Sequence, residues 1–109
     1  MKTYLSTDPF IVKCFEANTC HITLTDNQCL RRDIKTEHNP TLIVYPYEYG
    51  YFIFTDFEPE ILEETLLSLE KEGYSKHFIN LVKLARQHGC KFLQLDGDGV
   101  EYSDLPHLW

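Results

Sequence analysis

Asp96-Gly97-Asp98-Gly99 holds the most metal-like residue types in this sequence. Two carboxylates flanking a glycine can bind a hard cation through oxygen. The EF-hand pattern fails, because Val100 stands at the third ligand position and no Glu follows at the required distance. The stronger reading is a hairpin turn, with Asp bonding backbone amides and Gly taking positive φ. His21 and its neighbour Cys20 offer a base and a nucleophile. If that segment is extended, the two point to opposite faces and cannot act together. Cys29 or Cys90 could reach His21 only through the fold. A His bonded near a helix start is the plainer reading. The enzyme alternative is a small metal-dependent hydrolase using His21, Asp96 and Asp98, and it requires the three to converge in one cleft. His38, His77, His88 and His107 form no HxH or HExxH pattern. Neither a phosphate loop nor a Ser nucleophile elbow is present. No cofactor is expected.

A second group of residues suits binding. Glu60, Glu63, Glu64 and Glu70 fall on one side of a predicted helix, with Leu67 among them by the 100° step. Such a face could dock a basic protein surface, with Leu67 as an apolar anchor in an acidic ring. It could equally be a solvated face, with Leu67 at the rim of the next helix and Lys76, Lys83 and Arg86 partly neutralising the acids. Tyr45, Tyr47, Tyr49 and Tyr51 could stack bases or sugars. No Lys or Arg lies between Thr41 and Thr55, so cross-strand aromatic packing fits better.

These residues must be positioned by elements that the sequence also predicts. Ile11 to Phe15 has strand composition, continued or followed by Cys20-His21-Ile22. Thr25 to Gln28, or Thr23 with Asp26, can form a capping box for a helix over 26–34 that buries Cys29, Leu30 and Ile34. Lys35 to Pro40 reads as a loop. Thr41–Tyr47 and Tyr51–Thr55 are predicted strands joined by a hairpin, with Gly50 available for positive φ. Both faces of the first are apolar, which predicts a central place in the sheet, and Pro46 should sit at a strand end or bulge. A helix over 59–72 opens on Pro59 and buries Ile61, Leu62, Thr65, Leu66 and Leu69. Gly73 ends it. Ser75 caps a helix over 76–88 that Gly89 closes. Phe92 to Leu95 is a strand, and Val100 to Tyr102 is predicted to return as a short edge strand. The expected fold is α+β: a small, mostly antiparallel sheet with helices packed on it, in the order β-α-β-β-α-α-β, with an eighth β at the end.

The 109 residues fit a single domain, 1–109, whose first ten residues are expected to be partly flexible. A hydrophobic content of 43% is ample for a core. The net charge of −7 is uneven. Residues 1–50 carry 5 Lys/Arg and 6 Asp/Glu, whereas residues 51–109 carry 5 and 11. That balance argues against direct nucleic-acid or membrane-surface binding and favours a basic partner. Four cysteines without CxxC spacing, behind an N-terminus with no secretory pattern, predict free thiols in a cytoplasm.

Tyr49-Gly50-Tyr51-Phe52-Ile53, Leu84-Ala85-Arg86-Gln87-His88-Gly89-Cys90 and Leu95-Asp96-Gly97-Asp98-Gly99 lead to Leu105-Pro106 and Trp109. With His21-Ile22-Thr23 upstream, this combination resembles a family of small uncharacterised bacterial proteins often carried on plasmids and mobile elements. His107-Leu108 departs from the family's pattern. The resemblance implies a bacterial, mobile-element origin and no chemistry. The combined expectation is a non-enzymatic accessory protein that binds a protein partner with a basic surface. One concrete version interferes with a host nucleic-acid-handling system. A third class is a structural subunit that dimerises through its sheet edge or its C-terminal tail.

Overall fold

A computed structural model describes residues 11–35 and 41–108 of the chain, Lys35 by its backbone alone. The first ten residues, for which partial flexibility is expected, residues 36–40 of the expected loop with His38, and the terminal Trp109 lie outside the described residues. The elements run β1 (Cys14–Asn18), α1 (Leu24–Lys35), β2 (Val44–Tyr47), β3 (Gly50–Phe54), α2 (Leu62–Lys71), α3 (Lys76–Gln87) and β4 (Phe92–Asp96). Short 3-10 turns at Thr19–His21 and Pro59–Ile61 lead into α1 and α2.

The sheet order is β1-β4-β3-β2. β4 pairs parallel with β1 and antiparallel with β3, and β3 pairs antiparallel with β2. The α+β architecture and the element order agree with the sequence reading. Ala17, Ile53, Leu93 and Leu95 on one sheet face are fully buried, together with Leu30 of α1, Leu69 of α2 and Phe78, Val82 and Ala85 of α3. The apolar stripe of α3 recurs at helical spacing, so burying it fixes which side of the helix meets the sheet.

Local chemistry sets the helix ends. Thr23 and Asp26 form the capping box of α1: Asp26 N donates to Thr23 Oγ1 at 3.0 Å, and Thr23 N donates to Asp26 Oδ2 at 2.9 Å. The structure thus selects Thr23 over Thr25. Ser75 caps α3 by accepting from Phe78 N. Gly73 and Gly89 follow α2 and α3 with φ of 107° and 72°.

Three expectations are corrected. β2 is an edge strand, not a central one, and Tyr45 on its outer face and Ile43 just before it are half exposed. Pro46 is therefore tolerated inside it, because an edge position needs no second ladder donor. Val100–Tyr102 is not a strand. That segment gives one ladder-like bond, Asn18 N to Val100 O at 2.9 Å, and then turns away. Gly50 is not a positive-φ residue. Its need is closeness: a Cβ there would stand 1.8 Å from Leu95 O on the neighbouring strand.

Gly50→Ala must therefore push β3 from β4 in the middle of the sheet. Urea unfolding should show a loss of about 2–3 kcal/mol. A loss within about 0.5 kcal/mol would show that the two strands are not so tightly apposed.

Candidate functional site

His21 lies at the end of the first 3-10 turn, where β1 hands over to α1. It is only 2% exposed. Its Nδ1 is 2.8 Å from the Pro106 carbonyl, and its Nε2 accepts from the Tyr102 amide at 2.9 Å. A carbonyl can only accept, so Nδ1 carries the proton and Nε2 the lone pair. Both nitrogens thus hold the C-terminal segment. That segment has further ties to the β1 end. Asn18 Nδ2 donates to the carbonyls of Gly97 and Gly99, each at 3.1 Å. Tyr102 OH donates to Glu16 O at 2.5 Å, and Leu108 N donates to Cys20 O at 2.6 Å. Residues 97–108 are laced along residues 16–21.

The hydrolase reading names His21, Asp96 and Asp98; His21 and Asp96 each have a local role, and Asp98 is exposed. Asp96 accepts from the Asp98 amide at 2.7 Å and from Tyr47 OH, while its carbonyl accepts from Gly99 N. These bonds form an Asx turn that closes β4. The Tyr47 hydroxyl, then the Asp98 amide, hold the Asp96 carboxyl below its ordinary value. Among the described residues, the group of His, Cys, Asp and Glu whose ligand atoms come together is Cys20, His21 and His107, all within 4.8 Å of one another. Asp96 and Asp98 are not members of it. Cys20 and His21 meet because they sit on a 3-10 turn, not on the extended segment that would send them to opposite faces. Burial, and then the Glu101 carboxylate, push the Cys20 thiol up, which disfavours the nucleophilic thiolate.

Glu60, Glu63, Glu64 and Glu70 are exposed along the outer side of the second 3-10 turn and α2. Leu67 between them is 56% exposed, and Ile61 is 46% exposed although its apolar type suits the inner face. Among the described residues, no ion pair involves these four glutamates. Arg86 points elsewhere: its Nη1 donates to the carbonyls of Thr55 and Phe57 at 2.8 and 2.9 Å, with the guanidinium over the Phe57 ring. A groove beside the acidic face is lined by Glu63, Leu66, Leu67 and Glu70 of α2 and by Ile79 and Lys83 of α3.

The tyrosines divide between the two sheet faces. Tyr51 faces α1, where its hydroxyl donates to Asn27 Oδ1 at 2.7 Å. Tyr47 packs against Phe52 at 5.0 Å between ring centroids and accepts from Gln94 on the opposite face. The four are thus not one stacking platform. Cysteines 14, 20, 29 and 90 are all free thiols, the last three buried. No helix among the described residues is long and apolar enough to cross a membrane.

His21→Ala removes both ring bonds to the tail and leaves a small cavity. Stability should fall by about 2–4 kcal/mol. Hydrogen exchange at residues 102–108 should rise far more than in the rest of the chain. An exchange increase spread evenly over the fold would count against His21 as the holder of the tail.

The family model that matches describes the C-terminal domain of a family of unknown function, DUF5983, and it spans residues 14–108. No curated protein and no solved structure matches the chain. The match takes in the His21 turn, the acidic α2 and the tail up to Leu108, and the chain belongs to the DUF5983 family.

Proposed function

We propose that this domain is a non-enzymatic accessory protein of a bacterium or mobile element, acting in the cytoplasm by binding a protein partner with a basic surface. The observation that carries this reading is the outer face of α2. Four exposed glutamates without ion-pair partners among the described residues surround a Leu67 that the fold leaves 56% exposed. An apolar anchor in a charged rim is the arrangement of a small interface, in which the anchor supplies affinity and the rim steers encounter. The spacing 63, 64, 67, 70 keeps these four α2 residues on one stripe, and Glu60 precedes them on the 3-10 turn. The groove against α3 gives a partner's Lys or Arg stem an apolar floor at Leu66 and Ile79. Basic protein surfaces commonly hold nucleic acid, so a ligand of this charge could compete for one. Interference with a host nucleic-acid-handling system is the concrete form of the proposal.

The test compares wild type, Glu60/Glu63/Glu64→Lys and Leu67→Ala as bait, then repeats the binding with the purified partner across a salt series. These residues are exposed, so the variants should keep the wild-type melting profile. Charge reversal should weaken binding at least tenfold and Leu67→Ala roughly fivefold, with affinity falling as salt rises. A partner that binds the Lys variant as well as wild type, or binds independently of salt, would sink the reading.

A further inference from the structure

Cys20, His21 and His107 are joined by a fourth group that can ligate a metal. The Glu101 carboxylate lies 3.6 Å from His107 Nε2 and 4.0 Å from Cys20 Sγ. The ligand atoms of the first three lie within 4.8 Å of one another. Around a tetrahedral zinc, with Zn–N of roughly 2.0–2.1 Å and Zn–S of roughly 2.3 Å, ligand atoms stand about 3.3–3.8 Å apart. The Cys20, His21 and His107 ligand atoms need to close by at most about 1–1.5 Å to reach that spacing, and Glu101 already stands at or near it from His107 and Cys20. We infer that Cys20, His21, Glu101 and His107 form a structural zinc site that clasps the C-terminal tail to the turn before α1.

The chemistry of the set favours this metal. One thiol, two imidazoles and one carboxylate are a borderline-soft donor set, which suits zinc over calcium or magnesium. Four protein ligands complete a tetrahedron and leave no open position, so the site is structural and not hydrolytic. An outer-sphere partner is already in place: the His21 Nδ1–H donates to the Pro106 carbonyl, the bond that fixes the tautomer of a ligating His. Entry is open as well, because the side chains of His107 and Glu101 are 45% and 62% exposed while Cys20 and His21 form a buried floor. The Tyr102 amide bond to Nε2 is what the metal displaces, since both need the same lone pair. Two ligands come from the turn and two from the tail, about eighty residues apart, so the ion acts as a cross-link.

The experiment uses the full chain without a polyhistidine tag, stripped with chelator and titrated with zinc against a chromophoric competitor. Cobalt serves as a spectroscopic substitute. One zinc should bind per chain and raise the melting temperature with zinc concentration. The cobalt form should show a thiolate-to-metal absorption band. Cys20→Ser should abolish the band, and both Cys20→Ser and His107→Ala should weaken zinc binding at least tenfold. Cys14→Ser, whose exposed thiol lies outside the cluster, should change neither. Binding below one ion per chain at micromolar zinc would overturn the inference, as would affinities equal in wild type and His107→Ala. His107 is exposed and its loss should leave the fold intact, so that variant decides even if Cys20→Ser unfolds.

Discussion

The Asp26 carboxyl is the contact on which the helical layer depends. It is fully buried and accepts three hydrogen bonds: from Thr23 N at 2.9 Å, Ser75 N at 2.7 Å and Ser75 Oγ at 2.6 Å. The first closes the cap of α1, and the other two hold the residue that caps α3. Two helix N-termini, whose free amides and dipoles favour an acidic group, therefore meet on one side chain. Removing that carboxyl would strand buried donors, which costs more than the bonds are worth in themselves. The rest of α1 follows the same logic. Asn27 takes the Tyr51 hydroxyl from β3, and Arg32 Nη1 donates to the Glu72 carbonyl at the end of α2. Asp33 takes the Tyr74 hydroxyl at 2.6 Å, and burial followed by that bond pushes the Tyr74 phenol up. Among the described residues, no buried side-chain nitrogen or oxygen lacks a partner. Polar residues on a helix that packs against the sheet are tolerable only under that condition.

Local signals carried much of this fold in the sequence. Ser75, Gly73, Gly89 and the apolar stripe of α3 are near-neighbour effects, readable within one or two turns of chain. The β-branched and aromatic content of β3 was equally plain. What was hidden depends on pairing between distant residues. The two apolar faces of β2 suggested a central strand, yet edge or centre is decided by which strands flank it, and β4 takes the place beside β3. The turn at Tyr47–Gly50 was visible, but the reason for Gly50 lies on β4, 45 residues away, at Leu95. Asp26 and Asp33 look like surface residues in sequence, because their partners Ser75 and Tyr74 lie more than forty residues downstream.

The site residues divide in the same way. The exposure of the α2 glutamates and Leu67 follows from helical spacing alone, and the structure places them where the 100° step does. The neighbours of His21 do not follow from any local pattern. Its bonds reach Tyr102 and Pro106, more than eighty residues on, and the Cys20 geometry turns on a three-residue 3-10 segment that an extended reading forbids. The one available signal was the tail itself. An apolar Leu105-Pro106-His107-Leu108 end needs something to cover it, and the residues preceding a helix are a common place for side chains to bond elsewhere.

The tail and the acidic helix also share a boundary. A second groove, on the outer side of α3, is lined by Glu70, Lys76, His77, Ile79, Asn80, Lys83 and Pro106. It has Glu70, Ile79 and Lys83 in common with the groove beside Leu67. Pro106 thus forms a wall next to the proposed docking face, and its carbonyl is the acceptor for His21 Nδ1. The position of that wall is set by the ring of His21, which is in turn fixed by the end of β1. A contact at the carboxyl end of the chain and a face on the second helix therefore border adjoining grooves, with the buried imidazole behind Pro106. Loosening the tail would shift the Pro106 wall while leaving the charges on α2 unchanged, so in the proposed docking surface the tail contributes shape and the glutamates electrostatic pull.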